Sequence, residues 1–318
     1  MTLTSLLNYL SSAGQLIDGE WNGWQIKRAA GGSNGLVYRV ARDGEDYAIK
    51  FTLRDQRQRA RREFQALTAL HQAGLNLAPK PILLDTDHYP QDMIVQSWLI
   101  GDVIEAPPDN DADWQRLIDH FTSIHHFTPN QTIVELPSPV LNCQNAAQGI
   151  EVARWQMLCL PELPPELRQL FDRLENKAFP DWPQPTLTLC RTDPNTRNFV
   201  RRADGWRSVD WENSGWGDPA FEIADMMIHP AYMTVPSERW EWVINYYLQA
   251  MIDPAAEVRI RTYYHILAVW WVARMARFLY EVPRGLDQRL AERSSDWQLE
   301  TQRKYDHYLN LAQNLMEH

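Results

Sequence analysis

LCRTDPNTRNFV (189–200), followed by SVDWE (208–212), is the stretch whose reading decides the fold. Its first residues continue an apolar run, TLTLCR (186–191), that reads as a short strand ending just before Asp193. Asn198 follows five residues later and opens NFVRR (198–202). An Asp204-Gly205 turn then leads into GWRSVDW (205–211), so Asp210 ends a hairpin. Phosphoryl transfer needs a carboxylate beside the attacking hydroxyl and oxygen ligands that hold Mg²⁺ against nucleotide phosphates. Asp193, Asn198 and Asp210 supply those groups on short, stiff backbone. Alone, Asp-x-x-x-x-Asn also fits a turn in which Asp193 and Asn195 cap backbone N–H groups. The strand before it, the hairpin after it and Asp210 at the hairpin's end favour chemistry.

Working outward, the first hundred residues read as strands with one helix. WQIKRA (24–29) and LVYRVAR (36–42) flank a glycine-rich turn, and Asp43-Gly44 marks a hairpin into EDYAIKFTL (45–53). From Gln56 to His71 the period is helical, with Phe64, Leu67, Leu70 and His71 on one face and the arginines elsewhere. PILLDT (81–86) and DMIVQSWLI (92–100) are extended. Beyond Gly101 and Pro107-Pro108, helices are expected over roughly 111–127, 146–159, 163–176, 218–228, 236–251, 255–280 and 285–316. The expected class is α+β and bilobal. A small antiparallel sheet with one main helix (1–98) joins a large helical lobe (99–318) through a hinge at about 96–101, with a ligand cleft between them.

The first lobe carries three more candidates. In GGSNGLVYRV (31–40), Gly32, Ser33, Asn34 and Gly35 are small enough for backbone N–H groups to approach phosphate oxygens. No GK[ST] follows and no helix opens there, so this is neither a Walker A nor a Rossmann loop; a merely flexible hairpin is the alternative. Lys50 lies in YAIKF, where apolar neighbours predict burial and hence an anionic partner. Glu63, the one acid in a basic helix start, is the candidate partner. The alternative leaves Lys50 in water on an edge strand, with Glu63 pairing locally.

Composition narrows the class. The chain has 318 residues and a net charge of −10, which argues against a nucleic-acid partner. Cys143, Cys159 and Cys190 form no CxxC pair, so reduced thiols and a cytoplasmic setting are expected rather than disulfides or zinc. MTLTSLLNYLSSAGQL (1–16) reads as a short amphipathic helix, not a leader. Residues 263–282 are apolar but contain His265, Arg274 and Arg277, which fits a core helix and not a membrane span. His125 and His126, on an apolar helix end, read as packing or capping residues.

Glycine hairpin, Ala-Ile-Lys strand, helix Glu, Asp-x-x-x-x-Asn and hairpin Asp, in this order, resemble the protein-kinase-like fold, and its aminoglycoside phosphotransferase and choline kinase branch in particular. GGSNGLVYRV, LAPKPILLD (77–85), FTSIHHF (121–127) and VDWENSGWGDPAFEIADM (209–226) carry the likeness, over residues 25–230. It implies that Asp193 orients or deprotonates the acceptor hydroxyl, that Asn198 and Asp210 hold Mg²⁺, and that Lys50, paired with Glu63, holds the α/β-phosphates. Residues 32–35 then cover the triphosphate. Backbone near Gln96 and Trp98 reads the purine, ATP by default with GTP open. Two departures stand out: Arg191-Thr192-Asp193 replaces the usual His-Gly-Asp, and Glu222 stands where Asp is more usual. Arg191 places a positive charge beside the site.

Only seven residues separate Asp210 from Asp218-Pro219, too few for a protein kinase's activation segment, so a small hydroxylated acceptor is expected. Trp206, Trp211, Trp216, Trp240, Trp242, Trp270 and Trp271 offer an aromatic cage for choline-like amines or, more simply, core packing. Glu222, Asp225, Glu238, Glu241, Glu281 and Asp287 offer carboxylates for an aminoglycoside or, more simply, solvated faces. The other class of reading is a nucleotide-binding regulatory protein, with Arg191 marking lost catalysis.

Overall fold

The computed structural model describes residues 2–12, 18–29, 35–287 and 293–317. Helix α1 (Leu3–Ser12) buries Leu6, Leu7 and Leu10 against the sheet that follows. β1 (Asp18–Trp21), β2 (Trp24–Ala29), β3 (Gly35–Arg42) and β4 (Glu45–Thr52) run antiparallel. Asp43 and Gly44 both take positive φ at the β3–β4 turn, the twist that a two-residue hairpin loop needs. α2 (Arg59–Gln72), β5 (Pro81–Asp85) and β6 (Asp92–Ser97) complete a six-stranded sheet ordered β1-β2-β3-β4-β6-β5. β4 is therefore interior, and every residue from Ala48 to Thr52 is buried.

The larger part is helical: α3 (Asp111–His125), α4 (Ala146–Leu158), α5 (Pro165–Asn176), α6 (Pro219–Ile228), α7 (Ser237–Ala250), α8 (Ala256–Glu281) and α9 (Trp297–Glu317). α8 is its spine, packing on α4, α6 and α9. Two small sheets sit at its cleft end. β7 (Asp102–Val103), β9 (Phe199–Arg201) and β10 (Arg207–Ser208) form one; β8 (Thr188–Cys190) and β11 (Gly215–Gly217) form the other. The architecture is the expected α+β, bilobal one. Among the described residues no helix is long and apolar enough to cross a membrane.

Several expectations need correction. The last helix begins at Trp297, not 285: Gly285 takes a left-handed conformation (φ 66°) that ends a short 3-10 turn. His71 is exposed, and Arg59 lies on the buried face of α2 with Glu63, Leu67 and Leu70. β1, β7 and β11 were not expected.

β11 has a strict steric demand. A Cβ on Gly215 would lie 2.1 Å from the Pro137 carbonyl oxygen, which also accepts from Trp216 N–H at 3.1 Å. Gly215→Ala is therefore expected to destabilise the protein by about 3 kcal/mol, the upper end for overpacking, read as a lower urea midpoint.

Candidate active site

Lys50 is the centre of the cleft's charge. Its Nζ donates to Glu63 Oε2 at 2.7 Å and to Asp210 Oδ1, and lies 3.4 Å from Glu212 Oε2. The edge-strand alternative fails, because β4 is interior and Lys50 is 6% exposed. Burial opposes its charge, but the three carboxylates outweigh burial and hold the ammonium well above the ordinary lysine range. Glu63, fully enclosed, is pushed up to about 7 by burial despite Lys50. Asp210 would also be raised by burial, yet the Lys50 ammonium holds it below the usual range. Gly35 abuts this group: a Cβ there would meet Phe51 O at 3.0 Å and Lys50 Cε at 3.6 Å. Gly32, Ser33 and Asn34 lie outside the described residues.

Across the cleft, Asp193 leaves β8 after Thr192, whose φ is +53°. Its Oδ1 accepts from Asn195 N–H at 3.2 Å, and Asn195 Oδ1 accepts from Arg197 N–H at 3.1 Å. The capped-turn reading is thus correct as geometry, and it coexists with the chemical one. Asn198 Nδ2 donates to the Asp193 carbonyl at 3.4 Å, and Val209 N–H donates to the Asn198 carbonyl at 2.9 Å. That pair of bonds ties Asp193, Asn198 and Asp210 into one unit. Asp210 too is left-handed (φ 64°), a cost that a functional turn can carry.

Of the two hinge positions, Gln96 is a buried residue of β6, flanked in register by Ala48 and Pro81. Trp98 N–H donates to the Asp46 carbonyl at 3.0 Å.

The pattern defining the phosphotransferase enzyme family matches residues 25–263. The chain belongs to that family. Among curated proteins none matches it. Solved structures share its fold at low identity. A choline/ethanolamine kinase family protein from Mesorhizobium loti is 18% identical, covers 100% of this chain and 96% of its own, and gives a TM-score of 0.65. A spectinomycin phosphotransferase solved with ADP and spectinomycin is 12% identical, over 99% of this chain and 98% of its own, at 0.62. Choline kinase from Streptococcus pneumoniae is 14% identical, over 97% and 100%, at 0.58.

In this phosphotransferase the departures have visible partners. Glu222, entirely buried on α6, accepts from the backbone N–H groups of Arg191 (2.9 Å) and Thr192 (2.8 Å) and bonds His125 Nε2 at 2.9 Å. His125 Nδ1 reaches the Tyr247 hydroxyl at 2.9 Å. The loop before Asp193 is thereby held from α6, α3 and α7 together. Arg191 is fully buried, its guanidinium 4.8 Å from the centroid of the Phe199 ring, with Nε and Nη2 unpartnered. It lies enclosed behind the Asp193 loop rather than open to solvent. Arg59 Nη1 pairs with Glu212 Oε1, and Arg62 Nη1 donates to the Ser138 and Ser214 carbonyls. No residue pattern announced these ties.

Trp206, Trp211, Trp240 and Trp270 are core residues, as the packing reading had it. The solvated-face reading of the acids fails in part. Glu222 and Asp225 are buried, while Glu241 pairs with Arg261, Glu281 with Arg277 and Asp287 with Arg293.

Proposed function

We propose that this phosphotransferase moves the γ-phosphoryl group of Mg-ATP to a hydroxyl of a small molecule. The observation that carries the reading is the convergence on Lys50 of Glu63 from the sheet side and Asp210 from the hairpin next to Asp193. Lys50 is placed to trade Asp210 for nucleotide phosphates while Glu63 keeps its stem fixed. Asn198 and Asp210 offer hard oxygen donors on rigid backbone, a set that suits Mg²⁺. The metal, when bound, supplies charge neutralisation for the phosphates.

Asp193 accepts a hydrogen bond from the acceptor hydroxyl and takes its proton as that oxygen bonds to the γ-phosphorus. The bond from phosphorus to the bridging oxygen breaks and ADP leaves. Burial, then the Asp210 charge, lifts the Asp193 carboxyl to about 6, against the pull of Arg191, which suits a base working near neutrality. A small acceptor is favoured because residues 211–217 fold back on themselves: Trp211 is buried, Ser214 Oγ donates to its carbonyl at 2.7 Å, and Gly215–Gly217 pairs with β8.

Calorimetric titration with ADP tests the site. Mg²⁺ is expected to tighten wild-type binding at least about tenfold, about 1.4 kcal/mol, and to leave Asp210→Asn unaffected. Metal-independent binding in the wild type would sink the proposal.

A further inference from the structure

Among the acids facing this half of the molecule, Asp225 stands apart. Glu222, Glu241, Glu281 and Asp287 are all engaged, and Glu238 is exposed at the start of α7. Asp225 is 4% exposed, three residues beyond Glu222 on α6, and makes no hydrogen bond or ion pair among the described residues. A buried carboxylate without a partner is costly, and at a site it points to a ligand.

Its surroundings identify the site. Four residues on, His229 Nε2 lies 4.0 Å from Asp193 Oδ1. The His229 ring lies perpendicular to Trp271, centroids 5.8 Å apart, and Trp271 stacks on Tyr308 at 5.4 Å. Lys304 lies one turn before Tyr308 on α9, is half-buried, and has no carboxylate partner among the described residues. Its charge is felt at His229, that of Asp193 at Asp225, and that of Asp225 at Tyr308. Next to the acceptor carboxylate, apart from Arg191 enclosed behind its loop, there is thus one unpaired carboxyl group and one unpaired ammonium.

This arrangement discriminates between acceptor chemistries. A quaternary ammonium needs free aromatic faces, yet Trp271 is stacked against Tyr308 and sits perpendicular to both His229 and Trp270. A polyamine needs several free carboxylates together, and of the candidate acids only Asp225 is both buried and without a partner among the described residues. Resting on the phosphotransferase reading above, we infer that the acceptor is a compact hydroxylated zwitterion whose N–H-bearing ammonium binds Asp225 and whose anionic group binds Lys304.

The test is calorimetric titration of the Mg-ADP-loaded protein with L-homoserine, ethanolamine, 4-hydroxybutyrate, choline and kanamycin. L-homoserine is expected to bind at least about tenfold more tightly than the two probes that lack one charge, with choline and kanamycin weaker still. Asp225→Asn is expected to weaken L-homoserine and ethanolamine about tenfold but not 4-hydroxybutyrate; Lys304→Gln is expected to weaken L-homoserine and 4-hydroxybutyrate about tenfold but not ethanolamine. Should Asp225→Asn not fold, the wild-type ranking and Lys304→Gln decide. Tightest binding by choline or kanamycin, variants that leave L-homoserine unchanged, or no response to any probe in a protein that binds Mg-ADP would overturn the inference. Failure to bind Mg-ADP would instead overturn the phosphotransferase proposal on which it rests.

Discussion

Asp193→Asn is expected to lower kcat by about 10²–10⁴-fold while Mg-ADP affinity stays within about twofold. Asparagine keeps the volume and the acceptor oxygen that caps Asn195 N–H, so the turn survives and only the proton acceptor is lost. The pH profile makes the assignment specific. Because Asp193 is lifted to about 6, wild-type kcat/KM should fall as pH drops below that value, and metal that neutralises Asp210 should move the fall to lower pH. The sign for stability is opposite. A carboxyl whose folded value is raised binds its proton more tightly in the folded state, so stability is lost as pH rises from about 4 through 6. At pH 7 the neutral amide should therefore melt higher than the wild type while being nearly inactive. A variant with wild-type turnover, or one that has lost both activity and stability, would contradict the role given to Asp193.

The second large effect is on folding. Glu222→Ala would strip partners from two buried backbone N–H groups, Arg191 and Thr192, and from the His125 ring at once. Breaking a buried polar network at one member costs about 3–5 kcal/mol, so much of the chain's stability is expected to go. Glu222→Gln separates shape from charge. Its carbonyl can still accept both N–H bonds, and its amide can donate to His125 if the ring proton moves to Nδ1, facing the Tyr247 hydroxyl. The glutamine variant should lose less stability and keep kcat within about tenfold, measured by urea unfolding alongside turnover. Equal damage from both substitutions would mean that charge, not hydrogen bonding, is what the loop requires.

What could be read without coordinates divides along a physical line. The grouping of Lys50, Asp193, Asn198 and Asp210 was legible because residue type, local spacing and the strand and hairpin signals around them are all local. The β2–β4 hairpins were legible because Asp43-Gly44 and period-2 alternation are local. Glu222 and His125 were not, being 97 residues apart and joined only because α3 and α6 both pack on β8. Arg59 looked like one more solvated arginine in a basic helix start; its partner, Glu212, lies 153 residues on. Two-residue β7 and glycine-flanked β11 carry too few side chains for any period to show. The helix boundary at 297 was lost because the segment before it keeps helical composition while Gly285 turns left-handed. Asp225 was noticed for its charge, but its isolation is a property of its neighbours.

The tie from α2 to the other half of the molecule has a mechanical consequence. Lys50 is gripped by Glu63 on α2, and α2 is in turn moored by the buried Arg59–Glu212 pair and by Arg62 on two carbonyls. Swinging α2 outward would strand those two charges, at about 3–5 kcal/mol, so the swung-out form should occupy less than about 1% of molecules. Helix and floor therefore move as one piece, and the seat that Lys50 occupies stays fixed while ligands come and go.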